Sequence, residues 1–214
     1  LNELSADEQY KEVAQMLEND PTLIAQFVTS PLSMDEQKFY EISTYGSAMA
    51  PFYTVLALWV GGLITVALVH VKVKDCEEIE GVRGVHKFFG RYITFFLIGQ
   101  VQTLVTVLGD LYFVDIQCPH PLLFWCACAL SSLVFTFMMY SLTAAWGNVG
   151  QAIAVVVMVI QVAGAGGTFP VEVLPEVYRV IYRFMPFNYA MNALRECVGG
   201  MYRFDYAKDL AILL

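Results

Sequence analysis

Asp110 is the residue with the clearest capacity for chemistry, because it is the one carboxylate inside a stretch predicted to cross a membrane. Burying a charge in hydrocarbon is costly, so an ionisable side chain there is a functional candidate by default. Asp110 lies near the end of its stretch. Its side chain can therefore reach the polar interface, pair with an arginine of residues 175–198, or line a pathway for a polar substrate.

Gln100, Gln102 and Gln161 place amide groups inside predicted apolar spans. Amides in membrane helices most often form hydrogen bonds between helices, each contributing about 0.6 kcal/mol on average. We therefore expect helix packing to be their main role, with a polar conduit as the alternative.

Patterns for nucleotide binding and hydrolysis are absent from the sequence. It contains no G-x-x-x-x-G-K-[ST] loop, no G-x-S-x-G elbow and no H-E-x-x-H helix. His70, His86 and His120 fall in three different predicted environments. The sequence thus predicts a protein that is not an enzyme and that holds no cofactor or metal.

Five cysteines are present, without the spacing of metal ligands. Cys126 and Cys128 are two residues apart and point to different sides of a helix. Small apolar filling is the expected role, since a free cysteine packs as a small hydrophobic residue. A disulfide between Cys118 and Cys197 is the alternative, because both are predicted on the same side of the membrane.

The part of the chain that must position these side chains is strongly apolar. Residues 116–171 contain no Asp, Glu, Lys or Arg, and one membrane crossing needs only roughly 20 apolar residues. The chain is 57% hydrophobic and 15% charged, against about 25% charged residues in soluble domains. We therefore predict two helices here, joined by a tight turn at residues 146–151, in a membrane protein.

The predicted fold is an all-α integral membrane protein with four complete transmembrane helices and the start of a fifth. Residues 1–45, with nine acidic residues and two lysines, are predicted to be the C-terminal end of an extracellular helical domain. Residues 46–214 are predicted to form the transmembrane domain. The predicted spans are residues 50–71, 92–114, 122–145 and 150–169, and a last span begins at about residue 209.

A break and a re-entrant helical hairpin are expected after the fourth span. Gly166, Gly167 and Pro170 belong to a run of small residues that weakens a helix and permits close backbone approach. Pro175 can open a short amphipathic helix that Pro186 ends, and a second helix carrying Arg195 then follows. We expect residues 175–198 to dip back into the outer leaflet.

The orientation follows from the placement of Lys and Arg residues. The basic and polar loop 72–91 is predicted to be cytoplasmic by the positive-inside tendency, which leaves residues 1–45 outside. Five basic residues within 170–209 argue weakly for the reverse. The net charge of −8 offers no basic face for nucleic acid.

Three strings resemble the YhgE/Pip family of Gram-positive membrane proteins, which is named partly for a phage infection protein. They are Tyr45–Gly61, Gly164–Pro175 and Pro186–Glu196. This family belongs to the type 2 ATP-binding-cassette (ABC-2) exporter superfamily. The resemblance covers nearly everything from about Phe27 onward, and it implies an ABC-2-type permease-like membrane domain from which the final span is missing.

The resemblance also implies functional assignments. The segment Gly81–Arg91 occupies the position of the cytoplasmic helix that couples exporters to an ATPase subunit, and residues 175–198 occupy that of their outer re-entrant helices. The implied partners are membrane lipid, a second copy in a homodimer, and a separate ATPase subunit or secretion-system components. The candidate coupling residues are Gly81, Arg83, His86, Lys87 and Arg91.

The function expected from this resemblance is a cell-membrane subunit that moves, or helps to export, a large or amphiphilic substrate. The alternative is a non-transporting scaffold or receptor at the cell surface, namely a phage receptor or an accessory protein of type VII secretion. A soluble acidic helical module is a third interpretation. It would require a small domain to bury the whole charge-free run.

Overall fold

The computed structural model describes residues 42, 44–72, 83–167 and 175–214. The predictions for the acidic segment 1–41, for Gly81 and for Pro170 lie outside the described residues. Within the described ranges the chain is all-helical, as predicted. The helices are α1 (Tyr45–Leu68), α2 (Gly84–Tyr112), α3 (Pro121–Trp146), α4 (Asn148–Gly164), α5 (Glu176–Tyr182), α6 (Pro186–Gly199) and α7 (Asp205–Leu213).

Helix α1 begins five residues before the predicted first span. Thr44 is its N-cap, with the Thr44 Oγ1 atom accepting a hydrogen bond from the Ser47 N–H at 3.2 Å. This cap replaces an intrahelical partner that the first turn lacks. Hydropathy cannot detect such a start, because the first turn contains Gly46 and Ser47 rather than a run of large apolar residues.

Helix α2 begins at Gly84 rather than at residue 92, so the end of the predicted loop 72–91 is helical. A helix in this position is what the family resemblance implied for Gly81–Arg91. The physical reason lies in one aromatic residue. The Phe88 ring packs against the Tyr140 ring of α3 at a centroid distance of 4.8 Å, and Tyr140 Oη donates to the Phe88 carbonyl at 2.8 Å. Contacts with α3 thus extend the helix through residues that composition alone marks as polar.

The turn between α3 and α4 lies where the sequence predicts it. Gly147 has a φ of +60°, a backbone conformation that glycine adopts without steric cost. Gly150 then lies against α3, since a Cβ there would be 2.1 Å from the Leu142 carbonyl oxygen. Only glycine permits this close crossing of the two helices.

Three described helices, α1, α2 and α3, are long and apolar enough to cross a membrane, whereas α4 is apolar but has 17 residues. The predicted fourth span of residues 150–169 is therefore shorter in the structure, because α4 ends at Gly164 and Gly166 has a φ of +64°. The predicted break after this span is present.

Three described helices follow the break, and the boundaries of α6 and α7 differ from the predicted ones. Pro186 occupies the first turn of α6 rather than ending α5, a position that proline favours because it needs no N–H partner there. Helix α7 begins at Asp205, before the predicted residue 209. The Tyr206 Oη atom donates to the Leu123 carbonyl of α3 at 2.8 Å and so joins α7 to the bundle.

The core lies where α1, α2, α3 and α6 meet. Trp59 of α1 is fully buried and meets Phe135 of α3 at a centroid distance of 4.8 Å. Below, the Cys118 end denotes the end of the bundle at the α2–α3 connection, and the Gly147 end denotes the end at the α3–α4 turn. Helix α6 lies at the Cys118 end.

Candidate functional site

Helix α6 is inserted against α1 and α3 at the Cys118 end, and this insertion is the feature of the structure most suggestive of function. Phe187, Met191 and Leu194 are completely buried. The Phe187 ring lies 5.8 Å from the Phe52 ring of α1 in an edge-to-face arrangement. Gly167 permits this packing, because a Cβ at Gly167 would lie 2.1 Å from the Phe52 ring.

Gln161 connects the end of α4 to the start of α6. Its Oε1 atom accepts a hydrogen bond from the Phe187 backbone N–H at 3.3 Å, and its side chain is 1% exposed. Phe187 lies in the first turn of α6, where backbone N–H groups lack intrahelical partners. The Gln161 Nε2 and Asn188 Oδ1 atoms are buried without a hydrogen-bond partner among the described residues, so the described part of this junction is not fully satisfied.

Arg195 holds α6 to the break after α4. One of its terminal nitrogens donates to the Gly166 carbonyl at 2.8 Å. Of the residues predicted for the break and hairpin, the structure therefore brings Gly166, Gly167 and Arg195 together with α6. Pro175 instead precedes α5, which contacts α4.

Asp110 lies near the C-terminal end of α2 and is half-buried against α1. The Thr54 hydroxyl donates to Asp110 Oδ2 at 2.6 Å. Among the described residues, the Asp110 carboxylate thus bonds to Thr54 rather than to an arginine of residues 175–198, the ion pair that the sequence suggested. A short bond from a hydroxyl to a carboxylate is among the stronger side-chain interactions.

Gln100 and Gln102 both donate hydrogen bonds to neighbouring helices. The Gln100 Nε2 atom lies 3.1 Å from the Ala129 carbonyl of α3, and the Gln102 Nε2 atom lies 3.0 Å from the Ala57 carbonyl of α1. A Cβ at Gly61 would overlap the Gln102 amide. This geometry is that of helix packing, the first of the two interpretations above.

Two further cross-helix hydrogen bonds were not anticipated from the sequence. Gln151 Nε2 donates to the Val66 carbonyl of α1 at 2.9 Å, and Tyr92 Oη donates to the Leu133 carbonyl of α3 at 2.9 Å. The interhelical bond of Gln151 could not be predicted, because Gln151 lies in the predicted turn 146–151, where a polar residue is ordinary. Tyr92 lies at a predicted span boundary, where an interfacial aromatic is ordinary.

The candidate coupling residues lie at the Gly147 end. Arg91 Nε donates to the His70 carbonyl just beyond α1 at 2.8 Å, so Arg91 connects the end of α1 to α2. Arg83 precedes α2 as its N-cap in an extended conformation, and His86 is exposed in its first turn. Lys87 is half-buried one residue further on.

Cys118 and Cys197 are neighbours but are free thiols, so the disulfide considered above is not formed in this structure. The Cys118 thiol donates to the Cys197 carbonyl at a sulfur–oxygen distance of 3.6 Å. Burial raises the pKa of Cys118, which lies in the connection between α2 and α3. Cys128 and Cys197 are buried in the core, consistent with the role of small apolar fillers.

Comparison with known proteins provides the family. Residues 2–214 match the family described as ABC-2 family transporter protein. The chain is 28% identical over 170 residues to the "Uncharacterized protein YhgE" of Bacillus subtilis (strain 168), an alignment covering 79% of this chain and 22% of that protein. The chain thus spans about a fifth of the length of the curated relative that it matches. No solved structure matches it.

The chain belongs to the ABC-2 family of transporter proteins, and its membrane domain is YhgE-like. It is therefore a membrane protein. Membrane components of this family are not typical enzymes, and they generally work in lipid with a separate ATPase subunit. The resemblance inferred from three sequence strings is confirmed.

Proposed function

We propose that this chain is the membrane-domain part of a subunit that exports, or helps to export, a large or amphiphilic substrate. The observation that carries the proposal is the family match over residues 2–214. The proposed machine also contains a second copy of the chain in a homodimer. A separate ATPase subunit supplies the energy in this proposal, since the sequence contains no nucleotide-binding loop.

Two structural features support an exporting role over a purely anchoring one. The α6 helix is packed among spanning helices although it follows a backbone break, with Arg195 bonded to the Gly166 carbonyl at that break. In addition, the amide groups of Gln161 and Asn188 each contain a buried polar atom that finds no hydrogen-bond partner in the described part of the chain. A membrane anchor needs neither a broken segment nor an unsatisfied polar junction, whereas a segment that changes position tolerates both.

The proposed orientation places the Gly147 end in the cytoplasm and the Cys118 end outside. Residues 72–91 then face the ATPase, with Arg83, His86 and Lys87 near the membrane surface, and residues 1–45 lie outside the cell. The physical basis of this orientation is the excess of Lys and Arg in short cytoplasmic loops.

The experiment that tests this function uses the full-length protein in its native cells. The double charge reversal R83E/K87E is compared with R179E/R183E. The second variant reverses one arginine in α5 and the arginine that follows it, so the total charge changes by the same amount in both variants. We expect R83E/K87E to abolish both export and co-purification of an ATPase, and R179E/R183E to retain co-purification.

A scaffold or receptor gives the opposite pattern. Export-associated phenotypes would survive R83E/K87E and would be lost when residues 1–41 are deleted, because binding would then reside outside the membrane. Full function of R83E/K87E, with normal amounts of protein in the membrane, would overturn the proposal.

A further inference from the structure

Two cavities lie side by side on α6 at the Cys118 end, and they share Arg195 and Glu196 as a common wall. One has a volume of about 250 Å³ and is lined mainly by apolar groups, including Ala48, Pro51 and Val198. The other, of about 330 Å³, lies between α6 and α7 and is lined by polar and charged groups.

The charged cavity contains cations and carboxylates that do not neutralise one another by contact. Arg195 and Lys208 supply positive charges, and Glu196, Asp205 and Asp209 supply negative ones. In the described part of the chain, no direct ion pair joins these groups. Arg195 donates to the Gly166 carbonyl and Glu196 accepts from the Tyr202 backbone N–H. Lys208 attracts the Asp209 carboxylate electrostatically, whereas Asp205 and Glu196 repel it.

This arrangement has a specific chemical complement. Arg and Lys side chains bind phosphate oxygens, while carboxylates accept hydrogen bonds from an ammonium group. A ligand that satisfies both sets carries a phosphate and a primary ammonium a short distance apart. The three carboxylates outnumber the two cations, so a headgroup with a net negative charge is disfavoured relative to a zwitterion.

The adjoining apolar cavity indicates that the ligand also carries a hydrocarbon chain. Exposure of apolar surface to water is unfavourable, so a cleft lined by Ala48, Pro51 and Val198 suits a methylene chain. The polar and apolar cavities meet at Arg195 and Glu196, so one amphiphile can occupy both, with its headgroup between α6 and α7.

We propose that the paired cavities form a binding site for a zwitterionic phospholipid of the phosphatidylethanolamine type. Arg195 and Lys208 bind the phosphate, Asp205 and Asp209 accept hydrogen bonds from the ammonium, and the apolar cavity holds the start of an acyl chain. This inference rests on the proposed function, since it names the headgroup chemistry of a lipid that the exporter recognises.

The test is native mass spectrometry of the detergent-solubilised full-length protein. Phosphatidylethanolamine, phosphatidylcholine and phosphatidylglycerol with identical chains are added in equal amounts. Retention of phosphatidylethanolamine is expected to exceed that of each other lipid at least about threefold, the effect of one modest ion-pair or hydrogen-bond difference. Phosphatidylcholine lacks the ammonium N–H donors, and phosphatidylglycerol lacks the positive charge.

Variants assign the preference to the site. D205N/D209N is expected to bring the three lipids to parity, whereas the control D115N, which neutralises an exposed carboxylate at the same end, leaves the preference unchanged. K208Q is expected to lower retention of all three lipids, which keeps the test informative if the double variant unfolds. A48F, which fills the apolar cavity, should weaken lipid retention without weakening binding of free phosphoethanolamine.

Equal retention of the three lipids by the unaltered protein would overturn the inference, as would a preference that survives both D205N/D209N and K208Q. Equal retention of free phosphoethanolamine and the lipid would also overturn the role of the apolar cavity. Each of these results can occur while R83E/K87E still abolishes export. Failure of this inference is therefore distinguishable from failure of the proposed function.

Discussion

At the scale of residues, the glutamine amides within the apolar helices serve mainly to join one helix to another. Gln100, Gln102 and Gln151 each donate to a carbonyl of a neighbouring helix. Sequence position identifies such residues, because an amide in a span needs a partner. It does not identify the partner, since that depends on how the helices are rotated in the bundle.

The Thr54–Asp110 hydrogen bond gives a direct prediction at this scale. We expect T54V to lower the thermal stability of the detergent-solubilised protein, because Asp110 loses its hydroxyl donor. Interhelical hydrogen bonds in membranes contribute about 0.6 kcal/mol on average and up to about 1.7 kcal/mol. A charged acceptor places this bond towards the upper value, measurable as a shift in Tm.

The control for T54V is T106V, which removes a hydroxyl that bonds within its own helix, to the Gln102 carbonyl at 3.0 Å. T106V is expected to leave Tm almost unchanged. Equal shifts for the two variants would contradict a specific role of the Thr54–Asp110 bond. D110N, which retains an oxygen acceptor for Thr54, should cost less stability than T54V.

Cys118 gives a prediction about pH. Burial raises the pKa of its thiol, and alkylation requires the thiolate. In a variant that retains only Cys118 of the five cysteines, maleimide labelling should be slower than in the unfolded protein at pH 7.5 and should accelerate as the pH rises towards the raised pKa. Labelling at the unfolded rate, without this pH dependence, would contradict the buried environment.

At the scale of elements, the sequence located most helices but misplaced several ends. Hydropathy recovers the middles of α1, α2 and α3, since their apolar runs are long. It misses the first turns of α2, because the apolar packing of Phe88 on α3 is a tertiary contact. It also misassigns Pro186, because proline is compatible both with ending one helix and with starting the next.

Gly150 provides the prediction for the α3–α4 hairpin. G150A places a methyl group 2.1 Å from the Leu142 carbonyl oxygen, so the two helices must separate. Overpacking of this kind costs about 1–3 kcal/mol, and we expect a lower Tm in detergent. The matched control is G109A in α2, where a Cβ meets nothing within 4 Å.

G109A should leave stability unchanged or raise it by up to about 1 kcal/mol, as alanine favours helix over glycine. A G150A variant as stable as G109A would contradict the close crossing of α3 and α4. Because both are Gly-to-Ala changes inside helices, the difference between them isolates the steric effect.

At the scale of the whole molecule, composition alone predicted the class, and the family match confirms it. The charge-free run of residues 116–171 predicts that hydrocarbon rather than water surrounds this part of the chain. The paired cavities beside α6 were beyond the reach of the sequence, because their walls come from α1, α6 and α7, and no local pattern records that three separate segments meet. The proposed lipid-binding site is therefore a tertiary property, whereas membrane insertion is a property of composition.

The most direct test of the account is cysteine accessibility in intact cells, in the full-length protein with its native cysteines replaced. We predict that D115C reacts with a membrane-impermeant maleimide, that R83C and N148C react only after permeabilisation, and that V101C on the apolar face of α2 does not react. Labelling of R83C in intact cells with protection of D115C would contradict the orientation. Rapid labelling of V101C would contradict the membrane-spanning body itself.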